Sequence, residues 1–86
     1  MKINEIARII LRIIYDQYRK DSNEKALLDS ASIIERMKEK DDMSTDDFKN
    51  ALNYLKDKEY LTFFKGDRSK NWVYKILPKG IDLIEE

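Results

Sequence analysis

The side chains that can do chemistry in this sequence are carboxylates, amines, guanidinium groups, amides and hydroxyls, because its 86 residues include no histidine and no cysteine. This composition excludes imidazole acid–base catalysis, thiol nucleophiles, disulfides and the usual zinc ligands. Gly66 and Gly80 are the only glycines, so no glycine-rich phosphate-binding loop can form. We therefore expect a protein that is not an enzyme and that uses no metal or cofactor.

Two groups of polar residues remain as candidates for binding. The first is the polar side of the stretch from Ser44 to Leu61, where Asp46, Lys49, Asn50, Asn53 and Asp57 recur at helical spacing. The second is segment 62–80, in which five basic residues stand against one acid, Asp67. The basic residues are Lys65, Arg68, Lys70, Lys75 and Lys79. Charge is thus unevenly spread along a chain whose 17 basic and 17 acidic residues cancel.

A predicted helix at residues 44–58 positions the first group. Ser44 and Asp47 have the spacing at which a hydroxyl and a carboxylate each satisfy a free amide group at a helix start. Apolar residues then recur on one side of the helix. They are Phe48, Ala51, Leu52 and Leu55.

A predicted β-ribbon positions the second group. Residues 60–64 and 72–77 are rich in aromatic and β-preferring residues, and Gly66 and Asp67 suit a turn between them. Pro78 has the backbone angle that suits the first turn of a closing helix. That helix packs through Ile81, Leu83 and Ile84.

The first half of the chain supplies the rest of the core. A helix over residues 4–19 has a broad apolar face, because Ile9 and Leu11 flank its central stripe. Either neighbouring elements enclose this helix on several sides, which we favour, or the surplus surface packs against a second copy. Residues 26–28 form a short strand or an extended lead-in, and a second helix ends before Asp41. The central stripe consists of Ile3, Ile6, Ile10, Ile13, Ile14 and Gln17, and the second helix packs through Ile33, Ile34 and Met37.

Together these elements predict one α+β domain over residues 1–86, with three helices, a two-stranded ribbon and a short C-terminal helix. No apolar run has membrane-spanning length, and Glu5, Arg8 and Arg12 interrupt the N-terminal stretch. The sequence therefore predicts neither a membrane segment nor a secretory signal, and a cytoplasmic location is the resulting expectation.

This order of elements resembles that of a winged helix-turn-helix domain, and two motifs strengthen the likeness. The segment DDFKNALNYLKDKEYL, residues 46–61, resembles the pattern in which the third helix of such domains passes into the first strand of the wing. The segment YKILPKGIDLIEE, residues 74–86, is similar to the glycine-containing signature that closes many of them. Residues 44–86 thus resemble small winged-helix proteins of bacterial and prophage origin, the YjcQ-like group among them, whereas the first half matches by element order alone.

Two residues depart from the family pattern. Leu77 stands where a threonine usually caps the closing helix, so we expect that helix to begin without a side-chain cap. Glu59 stands where a glycine commonly ends the third helix in a left-handed conformation. We therefore expect the helix to continue past this point or to end differently.

The resemblance implies that the protein is a small transcriptional regulator that binds double-stranded DNA. In winged-helix proteins the third helix enters the major groove and the wing contacts the backbone, which here correspond to helix 44–58 and wing 62–77. Asparagines there pair with adenine, and a lysine reaches guanine or phosphate. The residues implied are Thr45, Lys49, Asn50 and Asn53 on the helix and Lys65, Arg68 and Lys70 on the wing.

A homodimer through helix 4–19 would align two such helices with a two-fold DNA site. For Trp72, at the base of the wing, we expect packing over the core in preference to stacking on a base.

The charge balance of the chain argues against DNA binding in its simplest form. Affinity for DNA comes mostly from phosphate neutralisation, and this chain has no net charge. Asp46 and Asp57 share the polar side of the helix, although acids in a first turn, such as Asp46 and Asp47, also complement the helix dipole. The polar face of the helix is equally consistent with an ordinary solvated surface. For the wing cations we favour phosphate contact slightly over a charged loop that protects the edge of the ribbon, because the cluster is so one-sided. The alternative function is a winged-helix module that binds protein through the acidic third helix or the edge of the wing, for example by adding a partner strand to wing strand 72–77.

Overall fold

Helices and a small antiparallel sheet make up the computed structural model, which describes residues 1–21, 28–65 and 72–86. Within these residues, four α-helices and a short 3-10 helix accompany three strands in the order β1-β3-β2. The α+β class is confirmed, and the layout is compatible with a winged-helix-like arrangement. The elements are α1 (Ile3–Asp21), β1 (Leu28–Asp29), α2 (Ser30–Arg36), the 3-10 helix (Lys40–Asp42), α3 (Thr45–Asp57), β2 (Leu61–Lys65), β3 (Trp72–Ile76) and α4 (Pro78–Glu85).

Helix α1 lies at the centre of the core, where α2, α3, α4 and β3 pack against it. The observed apolar stripe is rotated towards Leu11 relative to the predicted one, because elements contact the helix from several sides. Ile9 and Ile13 lie at the margin of the stripe and remain half-buried. Neighbouring elements thus contact α1 on several sides, as we favoured, and its margin at Ile9 and Ile13 stays partly exposed. The buried side chains of α1 are Ile6, Ala7, Ile10, Leu11, Ile14 and Tyr15.

Strand β3 occupies the middle of the sheet. β1 pairs with it antiparallel, with Leu28 opposite Tyr74. β2 pairs along its other side, with Lys65 opposite Trp72 at the far end. The expectation that strand 72–77 adds a partner strand is therefore wrong, because this strand already has a neighbour on each side. Among the described strands, β2 is the one with a long edge that is not paired.

Helix α3 begins with the capping box that the sequence predicts. The Asp47 amide donates to Ser44 Oγ at 3.1 Å, and the Ser44 amide donates to Asp47 Oδ2 at 3.3 Å. Asp47 thus serves the helix start, as expected for an acid in the first turn. The predicted apolar side is also confirmed, since its four residues are all buried. They are Phe48, Ala51, Leu52 and Leu55.

Glu59, which follows the C-terminal end of α3, adopts a left-handed backbone conformation with a φ of 62°. The Tyr60 amide donates to the Leu55 carbonyl at 3.0 Å and the Glu59 amide donates to the Lys56 carbonyl at 2.9 Å. These two bonds form a Schellman motif, the ending that usually employs glycine. The expectation that Glu59 changes the ending is therefore wrong. Its carboxylate instead pairs with Lys79 Nζ at 3.0 Å, which links the end of α3 to α4.

Helix α4 starts at Pro78 with Leu77 in the cap position, and no side chain caps it, as the sequence predicts. Gly80 is buried beneath the turn that follows α3. A Cβ on Gly80 would overlap the Tyr60 carbonyl oxygen and lie 2.9 Å from Ile76 Cγ1. That carbonyl cannot move freely, because it accepts a hydrogen bond of 2.9 Å from the Leu77 amide. Close approach of two backbones therefore requires glycine at this position.

A side-chain contact also joins α4 to α1. The Tyr15 hydroxyl donates to Glu85 Oε2 at 2.7 Å, and Arg19 Nη1 donates to the Tyr15 oxygen at 3.4 Å. The hydrogen bond with Tyr15 raises the pKa of the exposed Arg19 guanidinium. These contacts thus tie α4 to the C-terminal half of α1 at the surface of the core.

We expect Gly80→Ala to lower the free energy of unfolding by about 1–3 kcal/mol, because the added methyl group overlaps the Tyr60 carbonyl. Without that overlap, alanine within a helix would raise the free energy of unfolding by roughly 1 kcal/mol. The sign of the measured change in the free energy of unfolding therefore shows whether the overlap exists. Urea unfolding measures it, with Asp82→Ala at an exposed position of α4 as the matched control. A Gly80→Ala variant more stable than the natural chain would disprove the close approach.

Replacing Glu59 by glycine should raise the free energy of unfolding by about 1 kcal/mol, because glycine adopts a positive φ at little cost. The Lys79 pair that is lost is exposed on both sides and contributes little. The control is Glu59→Ala, which loses the same pair and keeps the unfavourable backbone angle. Equal stability of the glycine and alanine variants in urea unfolding would contradict the left-handed ending.

Candidate nucleic-acid interface

A groove runs between α3 and the face of the sheet that carries Phe63, Trp72 and Tyr74. We call it the α3–sheet groove, and its volume is about 390 Å³. Its floor is apolar, and polar groups of α3 stand along one side of its mouth. The described residues that line it are Ser30, Ile34, Thr45, Phe48, Lys49, Leu52, Asn53, Phe63, Trp72 and Tyr74.

The groove brings together most of the residues that the sequence predicts on helix 44–58. Thr45, Lys49 and Asn53 are spaced four residues apart, so they share one side of α3, and all three line the groove. Asn50 is exposed but lies about 100° around the helix from Lys49. The fourth predicted helix residue is therefore separated from the other three.

The acids of α3 do not line the groove, although they lie beside Asn53 on the helix. From the rotation per residue of an α-helix, Asp46 and Asp57 lie about 20° and about 40° from Asn53, but roughly 60° and roughly 80° from Lys49. Neither aspartate lines the groove. Lys49 thus lies on the side of α3 nearer the sheet, and Asn53 lies between it and the two aspartates.

Of the three predicted wing residues, Arg68 and Lys70 lie outside the described residues. Lys65 is exposed at the end of β2. A further cation, Lys56, was missed by the sequence reasoning, and its Nζ lies 4.4 Å from the centroid of the Phe63 ring. Its spacing of two helical turns from Lys49 was the available signal.

Aromatic side chains form the sheet wall of the groove. Phe63 meets Trp72 edge-on with ring centroids 5.6 Å apart, and its centroid lies 5.4 Å from that of Tyr74. The Tyr74 hydroxyl shares a hydrogen bond of 2.9 Å with Ser30 Oγ, which ties the sheet to α2. Trp72 is 49% exposed, so it packs on Phe63 at the mouth of the groove and not over the core as expected. The register explains this, because Trp72 pairs with Lys65 at the end of the hairpin farthest from the core.

The chemistry available in the groove follows from these walls. Lys49, Asn53 and Thr45 offer an ammonium, an amide and a hydroxyl, and the sheet offers aromatic surfaces. None of the described residues that line the groove carries a negative charge. The arrangement therefore suits a partner that is negatively charged, aromatic or both.

Comparison of the chain with models of protein families, with curated proteins and with solved structures found no match. Within residues 1–21, 28–65 and 72–86, acidic side chains do not gather in threes where they could hold a metal ion. In the same part of the chain, no helix combines the length and the apolar character needed to cross a membrane. Any assignment of function therefore rests on the geometry of the groove.

The hydrogen bond between Ser30 and Tyr74 supports the groove wall, and its removal should lower the free energy of unfolding by about 1 kcal/mol. Tyr74→Phe and Ser30→Ala each remove it without changing the shape of the wall greatly. Because both substitutions delete the same bond, the double variant should be little less stable than either single variant. Fully additive losses in urea unfolding would show that the bond contributes nothing.

Proposed function

We propose that this protein binds double-stranded DNA as a small winged-helix transcriptional regulator, with α3 directed at the major groove and the β2–β3 ribbon serving as the wing. One observation carries the proposal. Thr45, Lys49 and Asn53 lie together on the exposed side of α3, beside the sheet and without an acidic neighbour among the described lining residues.

Each of these side chains has a role suited to base recognition. The Asn53 amide offers the donor and acceptor that pair with adenine, and Lys49 reaches guanine or a phosphate. Thr45 follows the N-cap Ser44 and lies within the capping box, so its backbone position is fixed. Lys65, on the ribbon beside the groove, is placed to contact the sugar–phosphate backbone.

The balanced net charge means that attraction to DNA must be local. Lys49, Lys56 and Lys65 are described cations at or beside the groove, whereas Asp46 and Asp57 flank Asn53 on α3 and repel phosphate. With three phosphates neutralised, affinity should fall about 40-fold between 50 and 200 mM salt. Binding by one chain is therefore weak and strongly dependent on salt, which favours an assembly that presents two such surfaces.

A homodimer through the outer side of helix 4–19 would supply the second surface. Ile9 and Ile13 of α1 and Leu83 and Ile84 of α4 are half-buried and line a cleft of about 600 Å³. Charges of both signs surround these residues, so a two-fold axis can bring opposite charges together. The charged residues are Arg8, Arg12, Asp16, Arg36, Lys38, Glu39 and Glu86.

A second candidate function is protein binding through the edge of β2. This strand is unpaired on its outer side among the described strands, and its Phe64 is 44% exposed. A partner strand could add to that edge, with Phe64 packing on the partner. Binding of this kind is insensitive to salt, which distinguishes it from DNA binding.

The two functions are separated by fluorescence anisotropy of a labelled, mixed-sequence duplex at low and physiological salt, with light scattering to measure mass. Lys49→Ala and Asn53→Ala should each weaken binding roughly tenfold, because each contact contributes about 1–3 kcal/mol. Asn50→Ala is the matched control and should change binding little, since Asn50 lies outside the groove. Loss of affinity at Asn50 equal to that at Asn53 would refute the orientation of α3, and absence of binding at low salt would refute DNA binding itself.

A further inference from the structure

The α3–sheet groove has the properties of a small-molecule site. Its volume of about 390 Å³ lies within the range of such sites, which are mostly apolar with a few placed polar groups. Phe48 and Leu52 are buried at its floor, and Ile34, which is 36% exposed, forms the wall on the α2 side. DNA recognition requires only the polar rim and leaves this apolar interior unexplained.

The aromatic wall indicates a flat occupant. Phe63 and Trp72 meet edge-on, and Trp72 keeps about half of its surface exposed at the mouth of the groove. Aromatic side chains in this arrangement contact a further ring by offset or edge-on packing. A planar aromatic group entering between α3 and the sheet would cover both rings and the apolar floor.

The charges indicate that the occupant is an anion. Lys49 is the charged residue among the described lining residues, and Lys56 stands over Phe63 just outside them. The Asn53 amide and the Thr45 hydroxyl add hydrogen-bond donors on the same side. A single lysine within the groove suits one negative charge, whereas single-stranded nucleic acid needs a basic track along successive phosphates.

We propose that the α3–sheet groove binds a small planar aromatic anion, such as an aromatic carboxylate or sulfonate. The ring lies against Phe63 and Trp72, and the negative group pairs with Lys49. A regulatory consequence follows, and it rests on the proposed function. The ligand covers Thr45, Lys49 and Asn53, so ligand and DNA exclude one another, and the ligand releases the protein from its site.

The test uses the single tryptophan of the chain, Trp72, whose emission reports directly on the groove. The probe is 8-anilinonaphthalene-1-sulfonate, and the comparator is N-phenyl-1-naphthylamine, which has the same rings without the charge. We expect saturable binding of one sulfonate per chain with loss of Trp72 emission, and weaker binding of the neutral compound.

Variants locate the probe in the groove. Lys49→Gln should weaken sulfonate binding about fivefold through loss of a partly exposed ion pair and leave the neutral compound unaffected. Lys75→Gln, an exposed lysine on the opposite face of β3, is the matched control and should change neither. Ile34→Glu places a carboxylate in the wall at a half-exposed position and should abolish sulfonate binding, with circular dichroism checking the fold. Equal binding by the three variants, or equal affinity for the charged and neutral compounds, would overturn the proposal.

A competition experiment tests the regulatory step separately. Saturating sulfonate should release labelled duplex from the protein, and duplex that stays bound would refute the overlap of the two sites. If the protein binds no duplex at all, the proposed function fails, while the fluorescence titration still decides whether the groove holds an aromatic anion.

Discussion

The structure depends on the backbone of Tyr60, where three elements meet. Its amide closes the end of α3 on the Leu55 carbonyl, and its carbonyl accepts the Leu77 amide just before α4 begins. Gly80 lies directly against the same carbonyl, leaving no room for a side chain. The peptide unit therefore fixes where α3 ends, how β2 leaves it and where α4 packs. The junction thus connects the two parts of the structure, α3 and the sheet, that bound the groove.

Local rules predicted the elements that flank the junction. The capping box at Ser44 and Asp47 and the apolar side of α3 depend on spacing within one helix, and both agree with the structure. The ending of α3 was mispredicted because propensity favours glycine at a positive φ, whereas hydrogen bonds from two neighbouring amides impose that angle on Glu59. Local rules also could not predict that the two-residue β1 pairs with β3, because its partner residues lie far along the chain.

The candidate site was predictable in composition but not in geometry. Spacing placed Thr45, Lys49 and Asn53 on a polar helix side, but the position of the sheet decides that these three, and not Asn50, border the groove. The aromatic wall could not be predicted, because it depends on the register of β2 and β3, which brings Phe63, Trp72 and Tyr74 together. The same geometry bears on the charge objection, since Asp46 and Asp57 do not line the groove but lie beside Asn53 on α3. The aspartates therefore limit affinity for DNA without entering the site.

Hydrogen bonds between residues far apart along the chain bear on when folding can be completed during synthesis. The bond from Ser30 to Tyr74 spans 44 positions, and that from Tyr15 to Glu85 spans 70. Helix α1 is synthesised before β3 and α4, which cover part of it. Closing so long a loop carries an entropic cost that local helix formation does not. The packing around α1 can therefore be completed only after β3 and α4 have been made.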